Sequence, residues 1–282
     1  MMRLARNLFF YAVISAFWLP TPAVLAQNSF AIPADNAAYA DVADLVTISP
    51  MIVDASVKKV QKLSAEQSAG VPQNIQRAVV TADINTLIRG TKGVAGQVRF
   101  LLDIPKDARG KIPKLKKQRF FLLGKSVNGR PDMIQLSRSD ALISYSEANN
   151  GLLRAITQES VKLDAAPEVL GIASAFYSPG TVIGEGISQI FLRAAGNQPF
   201  SISVASRPGQ QRIWSVSTSE LIEEGAQTPR RNTLLWYRLA CGLPRNLDAS
   251  LIQAAGDGNA AKAQADYQYV INALGPCGRT RG

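Results

Sequence analysis

Positive charge is concentrated in one short stretch of this chain, where lysine and arginine side chains are available to bind anions. The chain carries a formal net charge of +10, and in the basic segment, residues 105–130, Asp107 is the only acid. Cationic groups at this density bind the phosphates and carboxylates of lipids, lipopolysaccharide or acidic glycans. The alternative is a solvated loop whose lysines keep an edge strand from aggregating. The candidate anion-binding residues are Lys111, Lys114, Lys116, Lys117 and Arg119.

The absence of histidine from the sequence removes many catalytic mechanisms. It excludes serine–histidine–aspartate and cysteine–histidine nucleophiles and the common histidine-ligated metal sites. Two cysteines are too few for an iron–sulfur cluster or a cysteine-rich zinc site. We therefore predict no cofactor and no metal.

Catalysis by carboxylates or by a serine–lysine pair stays open. Ser56 and Lys59 match the pattern Ser-x-x-Lys, but that chemistry needs the serine at a helix start and a later Lys-Thr-Gly strand. Here Ser56 lies in a strand-like context and the sequence has no Lys-Thr-Gly. We expect a protein that is not an enzyme. The alternative is a carboxylate- or Ser/Lys-dependent hydrolase or transferase of the cell envelope.

The first 26 residues have the pattern of a secretory signal peptide. Arg3 and Arg6 precede an apolar run at residues 8–19, and Val24 and Ala26 supply small residues before a cleavage site between Ala26 and Gln27. Twelve apolar residues make about 18 Å of helix, against about 30 Å of hydrocarbon in a bilayer. The pattern predicts a periplasmic or secreted protein without a transmembrane anchor, with residues 27–37 as an N-terminal extension.

Cys241 and Cys277 are the two cysteines, and an exported chain favours a disulfide between them. A redox-active pair is the alternative, but the Cys-x-x-Cys spacing that lowers a thiol pKa is absent.

Residues 38–137 have the alternation of apolar and polar residues that is typical of strands. We predict a first strand at 44–49 and 51–53, followed by strands at 76–87, 97–104, 118–123 and 132–136. Short strands separated by turn residues favour a small antiparallel β-barrel.

The order of these elements resembles a known family. The elements are Ala43-Asp44, Ile88-Arg89-Gly90, Gly96 to Phe100, and Lys116 to Leu123. Together they resemble the OB-type barrel of bacterial domains similar to tissue inhibitors of metalloproteinases and netrin modules. In that family an N-terminal cysteine chelates the protease zinc, whereas here the mature chain should begin at Gln27. The resemblance therefore implies the scaffold and not the inhibitory chemistry.

Residues 138–282 predict a second, α+β domain. A helix is expected at 150–163, strands at 169–177, 188–192, 200–206 and 212–218, and helices at 234–241, 249–255 and 260–274. Short connections favour an antiparallel sheet. The predicted fold class is α+β overall: an OB-like antiparallel barrel followed by an antiparallel sheet with helices.

The sequence thus predicts an exported binding or interaction module of the cell envelope. Its partner would be an anionic envelope component or another envelope protein, and the export signal argues against nucleic acid.

The signal peptide generates the first testable prediction. In a bacterial host with a periplasm, we expect export of a chain that begins at Gln27, because Val24 and Ala26 satisfy the signal peptidase. Intact-mass spectrometry of the periplasmic fraction measures this, and an exported protein that retains residues 1–26 contradicts it.

Overall fold

A computed structural model describes residues 36–91, 93–219, 226, 228–253, 256 and 258–281. The predicted signal peptide, its cleavage site at Ala26 and Gln27, and nearly all of the predicted extension lie outside the described residues. The elements in chain order are α1 Tyr39–Ile48, β1 Met51–Lys62, β2 Ile75–Arg89, β3 Gln97–Pro105, β4 Arg119–Val127, β5 Arg130–Leu136, β6 Leu142–Ser144, α2 Glu147–Ser160, β7 Val169–Pro179, β8 Gly186–Ala194, β9 Ser201–Ser206, β10 Ile213–Ser217, α3 Leu234–Gly242, β11 Ile252–Gln253 and α4 Asn259–Leu274.

Strands β1 to β5 close into a barrel in the order β1-β2-β3-β5-β4-β1, and β6 adds to β4. Along β3, Val98, Phe100, Leu102 and Ile104 are buried in the barrel, and the residues between them are more exposed. This is the alternation from which the strand was predicted. The closed barrel is compatible with the predicted OB-like form.

The prediction that the barrel is entirely antiparallel is wrong. Strand β3 pairs with β5 in parallel at Arg99 and Met133, so the barrel is mixed. The reason is geometric, because strand directions cannot alternate all the way round a closed ring of five.

The first predicted strand is also partly wrong, because residues 44–48 belong to helix α1. Seven of the ten residues of this helix are buried. Its apolar side chains belong to the same core as Ile52, Phe121 and Leu123 of the barrel, and the helix contacts β4, α2 and α3. A helix with this much apolar surface is stable when it is buried. Pro50 follows at once, and Ser49 before it is extended, as the residue before a proline prefers.

One hydrophobic core contains α1, part of the barrel, and residues of α2, α3, α4 and the second sheet. A second core fills the barrel.

The predicted domain boundary between residues 38–137 and 138–282 stays a prediction. Among the described residues, no helix has the length and hydropathy that a membrane crossing requires.

The second sheet has the order β10-β9-β8-β7-β11. Strands β7 to β10 form the predicted antiparallel meander, but β11 joins the edge in parallel at Ile252 and Ala175. The helix expected after Asp248 is a single 3-10 turn at Ala249–Leu251, and residues 252 and 253 instead pair with the free edge of β7. The predicted all-antiparallel sheet is therefore mixed.

The remaining helices lie close to the predicted positions. Thr233 accepts a hydrogen bond from the backbone N–H of Trp236 and caps α3. Gly275, with φ 70°, ends α4 in a conformation that suits glycine. The predicted disulfide between Cys241 and Cys277 is confirmed, and it joins α3 to the segment after α4.

Residues 279–281, here called the C-terminal strap, are tied to α1. Arg279 donates two hydrogen bonds to Asp44, at 2.6 and 2.8 Å, and the Tyr237 hydroxyl donates a third at 2.6 Å. The backbone N–H groups of Thr280 and Arg281 donate to the buried Asp41 at 3.0 and 3.1 Å. Burial raises the pKa of the Asp44 carboxyl, but the bonds from Arg279 and Tyr237 outweigh it, and the pKa lies below its ordinary value.

We expect Asp44→Asn to lower the free energy of unfolding at pH 7 by about 1.5–3 kcal/mol, the range for hydrogen bonds to charged groups. Because the pKa of Asp44 is lowered in the folded protein, its contribution is complete above the unfolded pKa of about 3.9 and is lost as the pH falls through the folded pKa. The difference between wild type and variant should therefore shrink near pH 3. Urea unfolding at pH 7 and pH 3 measures it.

The matched control is Asp83→Asn, which removes a half-exposed carboxylate 3.6 Å from Lys58. Exposed ion pairs contribute little, so this variant should change stability by less than about 0.5 kcal/mol. Equal losses in the two variants, or a difference that does not vary with pH, would contradict the strap's electrostatic role.

Candidate anion-binding site

The basic loop, residues 106–118, connects β3 to β4 and is fastened to the barrel. Leu115 is buried at the barrel end. The backbone of Lys117 donates to the Val57 carbonyl at 2.8 Å, and Val57 donates to the Gln118 carbonyl at 2.8 Å. These bonds continue the pairing of β1 with β4, so the lysines of the loop project from a fixed backbone.

The backbone of the loop turns sharply at Lys117. Its φ is 70°, in the left-handed region that residues other than glycine seldom adopt, and Gln118 donates to the Leu115 carbonyl at 3.0 Å. The turn exposes Lys116 and Lys117 while Leu115 points inward.

The structure adds two lysines from β1 to this set. Strand β1 has a register shift between Val57 and Lys59, and Lys58 and Lys59 are both exposed. A bulge of this kind breaks the alternation of a strand. We define the lysine groove as an open groove of ≈ 480 Å³ lined by Lys58, Lys59, Val60, Pro113, Lys114, Leu115, Lys116 and Lys117.

The positive charge of the lysine groove is largely uncompensated. Lys58 lies 3.6 Å from Asp83, and both side chains are half-exposed. In the part of the chain that the structure describes, no carboxylate oxygen lies within 4.0 Å of Lys59, Lys114, Lys116 or Lys117. Four ammonium groups are thus available to an anion.

Lys111 lies outside the lysine groove, beside an adjoining apolar cleft of ≈ 340 Å³. Asp107 holds this part of the loop, because its carboxylate accepts from the backbone N–H groups of Arg109 and Lys111 at 2.9 and 2.8 Å.

Arg119 does not line the lysine groove, and its charge is compensated. Its guanidinium makes a two-bond ion pair with the buried Asp54 and lies 3.5 Å from the centre of the Tyr145 ring. Asn85 also donates to Asp54, at 3.0 Å. Burial raises the pKa of Asp54, but the bonds from Arg119 and Asn85 outweigh it and the pKa is lowered. The role of Arg119 in the structure is to pair a buried carboxylate.

Sequence reasoning named Lys114, Lys116 and Lys117, which line the groove, and did not name Lys58 and Lys59. Two consecutive lysines that interrupt the alternation of β1 indicate that both are exposed, but nothing local shows that they lie beside the basic loop. It missed Asp54 as the partner of Arg119 because the two residues are 65 positions apart.

Two places in the described residues bear on the catalytic alternative, Ser56 and a pocket that contains carboxylates. Ser56 lies inside β1 and accepts from Asn85 at 3.0 Å, and it is not at a helix start. A polar pocket of ≈ 260 Å³ contains Glu159 and Asp164, but Glu159 accepts from the backbone N–H of Leu234 at 2.6 Å and so caps α3. Across the described ranges, no three cysteine or carboxylate side chains are grouped to hold a metal ion. The hydrolase or transferase alternative stays a prediction.

No protein-family model matches the chain, and no curated protein matches it.

The contrast between Arg119 and the lysines can be measured. Arg119→Ala leaves Asp54 buried without its cation, and we expect a loss of about 2–4 kcal/mol in the free energy of unfolding. Lys116→Ala should change it by less than about 0.5 kcal/mol, because that side chain is exposed and makes no ion pair within the described residues. Urea unfolding measures both variants.

The double variant Asp54→Asn with Arg119→Ala serves as the control. Removing the carboxylate should recover part of the loss, since no buried charge is then unpaired. A single Arg119 variant as stable as wild type contradicts this role for Arg119.

Proposed function

We propose that this protein is an exported, non-catalytic binding protein of the cell envelope, and that its lysine groove binds an anionic envelope component. The observation that carries the proposal is the convergence of Lys59, Lys114, Lys116 and Lys117, from two separate segments, without carboxylate partners among the described residues.

Like charges held close together repel, and salt screens this repulsion only beyond about 8–10 Å. A bound anion relieves the repulsion, so the arrangement favours an anionic ligand. Lysine carries a compact charge on a flexible stem and lacks the planar fork with which arginine binds one carboxylate or phosphate. A groove of lysines therefore suits a surface or chain with many anionic groups.

The fold and the location support the same proposal. Loops and strand faces of OB-like barrels often form ligand surfaces. We infer that the scaffold is similar to the barrel of domains resembling tissue inhibitors of metalloproteinases and netrin modules, without their zinc-chelating cysteine. The disulfide is typical of an oxidising compartment, and together with the predicted signal peptide it supports the periplasm or the exterior as the location.

The test uses the chain from Gln27 to Gly282 and vesicles of 30% phosphatidylglycerol in phosphatidylcholine. We expect salt-dependent binding that Lys59→Gln, Lys114→Gln and Lys116→Gln together weaken about a hundredfold at low salt, since each lysine near an anionic surface contributes about 1 kcal/mol. Lys117 is kept because its φ of 70° makes its substitution a change of backbone as well as of charge. Co-sedimentation at 50 and 300 mM salt measures the binding.

The matched control neutralises three exposed lysines elsewhere, Lys125, Lys162 and Lys262, which gives the same change in net charge. It should retain nearly all of the binding. Equal losses in the two triple variants show that binding follows net charge alone and reject the lysine groove as the site.

A further inference from the structure

The apolar cleft opens beside the part of β3 that lies beyond its pairing with β5. Strand β3 pairs with β5 near its start, at Arg99 and Met133. Along residues 100–105, the described pairing of β3 is with β2 alone. The basic loop leaves the end of β3 here, and the cleft lies between the loop and the barrel interior.

The inner wall of the cleft is apolar. Leu102, Ile104, Phe120, Leu142 and Leu115 belong to the buried core of the barrel and also line the cleft. Its volume of ≈ 340 Å³ falls within the range of small-molecule sites. Such a wall has no hydrogen-bonding groups to offer and suits a hydrocarbon chain.

Charged groups are confined to the mouth. Lys106 donates to the Gln73 carbonyl at 3.0 Å, and Lys111 is exposed. Asp107 also lines the mouth, but its carboxylate accepts hydrogen bonds from the loop backbone. The mouth therefore presents two ammonium groups above an apolar interior.

The apolar cleft and the lysine groove share a wall, because Pro113 and Leu115 line both. A ligand with its anionic group among the lysines is thus next to the cleft, on the other side of residues that line both. Resting on the proposed function, we propose that the ligand is a lipid with an anionic headgroup, and that one of its acyl chains occupies the apolar cleft.

The test measures the affinity of the exported chain for propyl, hexyl, octyl and decyl phosphate, each below its micellar concentration, by isothermal titration calorimetry. Each methylene that enters the cleft should lower Kd about fourfold, until the cleft is filled. The triple variant of Lys59, Lys114 and Lys116 should weaken all four ligands by a similar factor, because it changes only the headgroup contacts.

Two variants at one position locate the chain. Ile112 is half-buried and lines the cleft. Ile112→Trp should fill the cleft and raise the Kd of octyl phosphate at least tenfold while leaving propyl phosphate unchanged, and Ile112→Val should bind like wild type. If Ile112→Trp does not fold, methyl NMR of wild type replaces it, with octyl phosphate expected to shift the resonances of Leu102, Ile104 and Ile112.

Affinity that is independent of chain length overturns the inference. So does a chain-length effect that persists in folded Ile112→Trp, or octyl phosphate binding without shifts at those methyl groups. In each case, binding to anionic vesicles that the triple lysine variant weakens would still support the proposed function. Vesicle binding that this variant leaves unchanged would reject the proposed function, whatever the result with the alkyl phosphates.

Discussion

Helix α1 is largely buried and carries two carboxylates, and the surrounding elements can pack around it only if both charges are compensated. The helix packs against the barrel, α2 and α3, and Asp41 and Asp44 enter that interface with it. An unpaired buried carboxylate is strongly unfavourable. The C-terminal strap, about 235 positions away in the chain, donates hydrogen bonds to both, and Tyr237 of α3 donates a further one to Asp44. The first described helix and the last described residues therefore stabilise each other.

Several contacts hold the strap in position. The disulfide between Cys241 and Cys277 fixes the segment that leads to it, and the Trp236 indole donates to the Leu274 carbonyl at 2.9 Å. Arg281 reaches the carbonyl oxygens of Asp140 and Leu142, where β6 joins the barrel. Since Leu142 also lines the apolar cleft, the strap supports the edge of the barrel beside the candidate site. Contacts between such distant residues form only when most of the chain is in place, so we expect the two cores to fold cooperatively.

Arg119 and the loop lysines Lys114, Lys116 and Lys117 have different physical roles, although all four belong to the basic segment. Arg119 pairs with a buried carboxylate through two hydrogen bonds, and the planar guanidinium suits that geometry. Lys114, Lys116 and Lys117 remain exposed on a loop that backbone hydrogen bonds and the buried Leu115 hold in place. In sequence the two groups are adjacent and look alike. The difference between them arises on folding, which brings Asp54 to Arg119 and, among the described residues, brings no carboxylate to Lys114, Lys116 or Lys117.

The features that depend on neighbouring residues could be predicted from the amino-acid sequence. Alternation predicted β2 and β3, Thr233 and Gly275 marked helix ends, and composition identified the disulfide and the lysines of the basic loop. Helix α1 was not predictable in this way, because Leu45, Val46 and Ile48 suit a strand locally, whereas the segment is largely buried against elements from distant parts of the chain. Tertiary structure also decided the parallel closure of β3 on β5, the pairing of Arg119 with Asp54, and the addition of Lys58 and Lys59 to the candidate site. The reason is common to all four, since each depends on contacts between residues far apart in the chain, which local patterns do not encode.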